Sequence, residues 1–309
     1  MRAEILVTGG GGLLGYALKQ LCPEAFFPTR QECDLTDPSQ VRRLFQEVRP
    51  KQVLHLAAKV GGVKSNKEKN ADYFVRNVQI NTNVLSAAQE QGVARLVSIL
   101  STCAFPMKSD SPNREDDLHS GMPFAGNLGY GYAKRMLDIH TRLLWEQHGC
   151  KYSTITPVTM YGPNDRWDPE EGHVLGALIS KSVMAKQLGR SLSVWGTGKA
   201  IRQFVFAFDV ARILLDELQY FENTNTLIIA PDEGITIGDL ARLVAKVVGF
   251  EGPIVFDAGK PEGEKKKVVE SQYFSSRHKN FSFTPLEIGL RSTVEWYLEY
   301  HAAQEGVAR

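Results

Sequence analysis

Two rhythms alternate through the first half of the chain: short apolar runs, and longer stretches with an apolar residue at every third or fourth place. Ile5-Leu6-Val7 is a run of the first kind and reads as a buried strand, whereas Leu14 to Leu21 has the helical spacing. Ala25-Phe26-Phe27 is a second strand, ending at Pro28-Thr29-Arg30, and Val41 to Val48 makes an amphipathic helix that starts near Pro38. Gln52 to Ala58 is a strand and its exit, with His55 packed within it. Val78 to Gln91 is a long helix with Ile80, Val84, Leu85 and Ala88 at apolar positions. Leu96 to Leu100, Gly131 to His148 and Ser153 to Thr156 continue the series as strand, helix and strand. Such alternation predicts a parallel, doubly wound sheet with its site at the strands' carboxyl ends.

From Tyr161-Gly162-Pro163-Asn164 onward the rhythm loosens. Loops rich in Asp, Pro and Gly separate helices at Val174 to Lys186 and Ile237 to Val248 from short strands at Leu192 to Trp195 and Pro253 to Phe256. A helix at Phe208 to Leu218 and a strand at Thr226 to Ala230 return to the large sheet. The expectation is an α/β protein: a Rossmann-type doubly wound domain, 1–165 plus about 203–231, and a smaller mixed α/β C-terminal substrate-binding lobe, about 166–202 plus 232–309.

Composition narrows function mainly by exclusion. With 36 basic against 35 acidic residues, no global field points to nucleic acid or to a membrane surface. Lys265-Lys266-Lys267 is the one basic run, and it reads as a solvated loop. No apolar stretch is long enough to span a bilayer, and a strand at the very start leaves no room for a signal peptide. Cys22, Cys33, Cys103 and Cys150 have neither metal nor redox spacing, so no metal is implied and a reducing cytoplasm is the expected setting.

Gly9, Gly12 and Gly15 form G-x-x-G-x-x-G between the first strand and the first helix. A tight turn, a backbone able to approach a pyrophosphate, and close helix–sheet packing each favour glycine there, and the helix start offers free N–H groups to phosphates. A flexible loop is the bland alternative, which the strand before and the helix after make the minority reading. An NAD site usually places an acid about 20 residues on, at the end of the second strand. Arg30 stands there instead, which favours the 2′-phosphate of NADP(H) over a plain surface arginine. Asp34 either reaches the adenine edge or caps the next helix, and the small Ala57 and Ala58 let a cofactor pass over their strand.

Tyr130-Gly131-Tyr132-Ala133-Lys134 contains Y-x-x-x-K, which puts Tyr130 and Lys134 on one helix face. An ammonium beside a phenol is expected to lower the tyrosine's pKa, tuning it to exchange a proton with a carbonyl or alcohol oxygen. Ser101, at the end of the preceding strand, offers a hydroxyl to the same oxygen. Alone, this motif is most often a helix surface pair; combined with the glycine turn and the strand-end serine, chance is a poor explanation.

Here the chain resembles the extended short-chain dehydrogenase/reductases and, within them, the GDP-L-fucose synthase family over nearly its whole length. The resemblance rests on Ala57-Ala58-Lys59-Val60-Gly61-Gly62, Ser101-Thr102-Cys103-Ala104-Phe105-Pro106, Tyr130 to Lys134, Tyr161 to Asp165 and Gly172-His173-Val174-Leu175. Val194 to Gly198 with Arg202-Gln203-Phe204, and Phe256-Asp257 with Lys260-Pro261, extend it. It implies NADPH-dependent epimerisation at C3 and C5 of a GDP-4-keto-6-deoxy sugar, followed by reduction at C4. It assigns Cys103 as the base and His173 as the acid, with Ser101, Tyr130 and Lys134 acting at O4. Without it, Cys103 reads as a small buried hydrophobe and His173 as a surface residue at a helix start. It further implies that Leu13, Leu14, Leu35, Lys134 and His173 border the cofactor. Lys181, Trp195, Arg202 and Lys260 would line the GDP pocket, with Arg202 best suited to pyrophosphate and Trp195 open to being a packed aromatic. A homodimer through Val78–Gln91 and Gly131–His148 is also implied.

Three positions depart from the family pattern: Thr159, Arg166 and Gly176 stand where it has Asn, Asn and Pro. They are expected to cluster where sugar and diphosphate sit. Cys103-Ala104 replaces the Asp-Glu pair of the superfamily's dehydratases, which argues against dehydration. The Cys/His pair argues against a simple 4-epimerase. A non-catalytic NADP-binding protein on the same fold would be free to lose Ser101, Tyr130 or Lys134, and this chain keeps all three.

Overall fold

The computed structural model describes residues 3–107, 111–260 and 263–307, leaving out side-chain detail at 63, 64, 67 and from 302 onward. In chain order the elements are β1 (Ile5–Thr8), α1 (Leu13–Leu21), α2 (Pro38–Val48), β2 (Gln52–His55), α3 (Val63–Glu68), α4 (Asn70–Glu90) and β3 (Arg95–Ile99). They continue with α5 (Leu128–His148), β4 (Tyr152–Pro157), β5 (Thr159–Tyr161), α6 (Val174–Leu188), β6 (Leu192–Trp195), β7 (Ile201–Arg202), β8 (Phe204–Phe206) and α7 (Ala207–Glu217). The last are β9 (Leu227–Ile229), β10 (Ile235–Thr236), α8 (Ile237–Val248), β11 (Ile254–Asp257), β12 (Lys266–Lys267), α9 (Phe274–Arg277) and α10 (Leu286–Val307). Pro261 of the resemblance lies outside the described residues.

The main sheet is parallel, in the order β1-β2-β3-β4-β9. Every residue of β3 and β4 is buried, as expected for strands covered by helices on both faces. Ala25–Phe27 is not a full strand: it makes one parallel bridge, Phe26 against Leu6, through Val7 N–H to Phe26 O (2.8 Å) and Phe26 N–H to Ile5 O (2.9 Å). That bridge lies on the side of β1 away from β2, so the winding reverses at β1 and opens a crevice at its carboxyl end. Local signals set the helix ends. The Asp37 side chain accepts from the backbone of Ser39 and Gln40 ahead of Pro38, so Asp37, not Asp34, caps α2. α4 and α5 begin earlier than the apolar spacing suggests, at Asn70 and Leu128.

Two hydrophobic cores organise the rest. One surrounds the main sheet; the second gathers Leu175, Ile179, Val194, Leu240, Val244, Leu290 and Val294 from α6, β6, α8 and α10. The small strands form parallel pairs β5–β8 and β6–β11 and a three-stranded β10-β7-β12 sheet. Val269, Phe274, Phe281 and Phe283 pack on the first core, although the sequence places that stretch in the second lobe. Among the described residues no helix is long and apolar enough to cross a membrane.

Candidate active site

A cleft of about 1070 Å³ follows the carboxyl ends of β1 to β4 and is closed by residues of the second core. At its floor Gly9 turns with φ +78°, and a Cβ there would lie 2.7 Å from the Ala57 nitrogen; one on Gly15 would lie 2.5 Å from the Gly10 Cα. Only glycine permits both approaches. Gly12 caps α1 without a side-chain partner, no acid occupies the helix's first turn, and Gly11 faces open space. The helix start therefore offers bare N–H groups and its positive dipole end, which suits a diphosphate.

Leu13, Leu14, Ala57 and Ala58 line the cleft, as do Arg30, Asp34 and Leu35. Arg30 is largely exposed, 3.8 Å from the Asp34 carboxylate. Hydrogen bonds from Thr36 and then the charges of Arg30 and Arg76 hold the Asp34 carboxyl below the usual range. Lys19, over the Phe27 ring, and Arg76 also line the cleft. Sequence reasoning missed both, since each is one more charged residue on a helix surface. His55 is structural: it is buried between Thr8 Oγ1 (2.8 Å) and Asn81 Oδ1 (3.1 Å), and desolvation with the nearby Lys134 charge pushes it down to about 3.

Ser101, Cys103, Tyr130, Lys134 and His173 all line this one cleft. Ser101 lies two residues beyond β3 and caps a single 3-10 turn, Thr102–Ala104, by accepting from the Cys103 N–H at 3.2 Å. That turn sits tightly on α5, for a Cβ on Gly131 would lie 2.6 Å from the Cys103 carbonyl oxygen. Tyr130 is thereby held beside Ser101 and Cys103. Lys134 is buried, its Nζ donating to Ile99 O at 2.7 Å, and desolvation pushes it down to about 8.

Tyr130 departs from expectation. Its pKa is raised rather than lowered: desolvation comes first and the neighbouring Cys103 adds to it, against a smaller opposing effect of the Ser101 hydrogen bond. Lys134 Nζ lies 5.9 Å from the ring centre and is directed at the Ile99 carbonyl, so it does not offset the desolvation. The phenol keeps its proton.

The lysine run is also corrected. Lys266–Lys267 is a strand, β12, parallel to β7, and Lys267 Nζ donates to Cys103 Sγ at 3.1 Å. Burial would raise the Cys103 thiol, but the Lys267 charge with its hydrogen bond, joined by Ser101, outweighs it and holds the group below its ordinary value. Alternation separates Lys267 from Lys266 but not from Lys265, so the sequence alone does not single out the lysine that turns inward; the β12–β7 pairing does.

His173 caps α6, and its Nδ1 is 3.1 Å from Oδ1 of the buried Asp165. The hydrogen bond to Asp165, opposed by desolvation and assisted by the carboxylate's charge, raises the imidazole above its usual value. Asp165 was absent from the expected site because an acid eight residues before a histidine carries no local signal.

At the far end Lys181, Trp195 and Arg202 line the cleft. Lys181 Nζ lies 4.7 Å and Lys260 Nζ 5.4 Å from the Trp195 ring centre. Lys260 stays off the wall itself, exposed on the turn after β11. Of the three departures from the family pattern, only Thr159 faces the cleft. Gly176 is buried, and a Cβ there would lie 2.7 Å from the Arg166 carbonyl, so these two positions meet through packing, away from the cleft wall.

Residues 5–229 match the model of the NAD dependent epimerase/dehydratase family. The chain is 35% identical to a GDP-L-fucose synthase of Dictyostelium discoideum, over 98% of each chain. It is 36% identical to a probable GDP-L-fucose synthase of Drosophila melanogaster, over 96% of this chain and 97% of that one. A crystal structure of a GDP-L-fucose synthetase from Naegleria fowleri bound to NADP superposes with a TM-score of 0.90 at 34% identity, covering 96% of this chain and 93% of that one.

Proposed function

The chain belongs to the NAD dependent epimerase/dehydratase family and, within it, to the GDP-L-fucose synthases, and on that premise we propose that it epimerises C3 and C5 of GDP-4-keto-6-deoxy-D-mannose and reduces C4 with NADPH, giving GDP-L-fucose. The observation that carries this is the meeting of two chemistries in one cleft: a Ser101–Tyr130–Lys134 group for a carbonyl oxygen, and a Cys103/His173 pair for carbon acids.

The residues fit NADPH. The uncapped start of α1 with Gly9, Gly12 and Gly15 would hold the diphosphate; Arg30, with Lys19 and Arg76, suits the 2′-phosphate; and Lys134 and His173 border the nicotinamide end. When bound, NADPH supplies the hydride for C4. The 4-keto group makes the C3 and C5 hydrogens acidic. Cys103 takes the proton from carbon, Ser101 and Tyr130 hold the enolate oxygen by hydrogen bonds, and His173 returns a proton on the opposite face. Tyr130 then gives its proton to O4 during reduction. Trp195, with Lys181 and Lys260 over its ring, together with Arg202, would hold the GDP moiety, with Lys181 and Arg202 on the cleft wall meeting its phosphates. The proposed division of labour is a main-sheet lobe for NADPH, joined by the stretch around Val269 to Phe283, and a second-core lobe for the nucleotide sugar, at work in the cytoplasm.

The test is NADPH oxidation with GDP-4-keto-6-deoxy-D-mannose, followed by identification of the product sugar. Oxidation yielding GDP-L-fucose supports the assignment; protein that binds NADPH yet leaves this sugar unreduced overturns it.

His173 gives a pH signature. Its raised pKa keeps the acid form at higher pH, and activity falls as pH rises through that value. In Asp165→Asn the amide cannot support the imidazolium, so the alkaline limb of the rate profile is expected to move to lower pH, with NADPH affinity retained. An unmoved limb removes His173 from the acid role.

The homodimer is supported by Met136, Ile139 and Leu143, an exposed apolar stripe on α5 at 43%, 44% and 53% exposure, with Val75 likewise exposed on α4. Ile139→Glu with Leu143→Glu is expected to give monomer in sedimentation velocity where the unaltered chain is dimeric.

A further inference from the structure

Resting on the reading of Cys103 as the base, we propose that Lys267 is a positioning residue that keeps Cys103 ready for proton abstraction, by ion-pairing with its sulfur as a thiolate. A thiol is a poor base until it ionises, and an ammonium at hydrogen-bond distance is the kind of neighbour that ionises it. Lys267 Nζ stands 3.1 Å from Cys103 Sγ. The backbone holds it there. Lys267 pairs with Arg202 in the parallel β12–β7 ladder, and Ile201 N–H donates to Lys265 O at 2.9 Å. Two residues further on, the buried Gln203 side chain accepts from Val269 N–H at 2.8 Å and donates to Val269 O at 3.1 Å. Alternation along this short strand turns Lys266 outward to solvent and Lys267 inward. From the other side, the tight contact of Gly131 with the Cys103 carbonyl fixes the sulfur's own turn.

The groups around the sulfur divide clearly. Lys267 on β12 and the Ser101 hydroxyl favour the thiolate; Glu264, in the approach to β12, opposes it, and Tyr130 on α5 repels it once ionised. Arg135, also on α5, donates to Ala104 O at 2.6 Å and supports the turn itself. Lys267 is thus the one cation that hydrogen-bonds the sulfur among the described residues. In the abstraction step the C–H bond breaks, an S–H bond forms, and the electron pair passes into the enolate. Lys267 keeps its proton throughout. The thiol then loses its proton to solvent beside the waiting ammonium, which restores the thiolate for the second carbon.

The experiment follows alkylation of Cys103 by iodoacetamide against pH, with Cys103→Ser protein as the blank for the remaining cysteines. The midpoint for the unaltered enzyme should lie below that of a free thiol. In Lys267→Met it should move up to the ordinary range, and Lys267→Arg should restore it. The midpoint is the readout, because a thiolate's intrinsic reactivity changes with its basicity. In parallel, solvent exchange at C3 and C5 in Lys267→Met should drop on the order of tenfold at pH 7, since an unassisted thiol is only a few per cent ionised there. It should recover as the pH is raised. A midpoint that is the same in Lys267→Met and unaltered enzyme, in protein that still binds NADPH, overturns the proposal. Should the methionine variant fail to fold, Lys267→Gln, which keeps a hydrogen-bond donor without the charge, decides the same question. Absence of exchange and reduction in the unaltered enzyme would overturn the functional reading instead, and alkylation would still decide the ion pair.

Discussion

Tyr130→Phe is expected to lower NADPH-dependent reduction by about 10²–10⁴-fold, the usual contribution of a positioned proton donor, while NADPH affinity stays nearly unchanged. The change removes one oxygen. The ring stays in place on α5, and Lys134 keeps its anchor on the Ile99 carbonyl, so the lining of the cleft is preserved. What disappears is the phenolic proton, the one proposed to reach O4, and the hydrogen bond with Ser101. The raised pKa strengthens this expectation. A reductase needs its tyrosine protonated when hydride arrives, and desolvation with the adjacent Cys103 keeps Tyr130 in that form through the neutral range. Steady-state NADPH oxidation, with nucleotide binding followed by fluorescence, reads both quantities. A rate in Tyr130→Phe equal to that of the unaltered enzyme assigns the proton to another group.

The first half of the fold was legible because its determinants are local. Short, mainly apolar runs such as Leu96 to Ile99, broken only by Ser98, specify strands buried on both faces, and the glycine turn locates the strand from which the sheet winds both ways. The second half resisted for the opposite reason. β7, β10 and β12 are two residues each, and they persist through long-range bonds such as those of Gln203 to Val269 and Pro231. α10 was missed although Leu290, Val294 and Tyr297 are buried at helical spacing within it; Gly289 and several charged residues dilute that stripe. At the site, residues within motifs were readable, while their partners were not. Cys103 and His173 came from the resemblance, but the groups that tune them, Lys267 and Asp165, are fixed by a strand pairing and a loop. Arg166 and Gly176 were misplaced on the same grounds: sequence neighbourhood to the site did not reveal that Gly176 is buried against the Arg166 backbone carbonyl while the Arg166 side chain is exposed, and neither lines the cleft.

Cys103→Ser is expected to suppress deuterium incorporation from solvent at C3 and C5 by about 10²–10⁴-fold while leaving part of the C4 reduction. Serine preserves size and polarity, so the turn capped by Ser101 and the close contact with Gly131 survive. A hydroxyl at that position does not ionise as the thiol does, even with Lys267 at hydrogen-bond distance, so the base is lost though its surroundings stay in place. In the proposed mechanism hydride transfer to C4 relies on Tyr130, Lys134 and Ser101, which line the same cleft and are not altered. The product should therefore be reduced at C4 with C3 and C5 unchanged, separable by mass spectrometry in deuterated water and by the configuration of the sugar released. Exchange at the rate of the unaltered enzyme would place the base elsewhere in the cleft. Loss of exchange and reduction together would mean that only the epimerised ketone presents C4 to hydride, making the carbon-acid step a gate for the reduction.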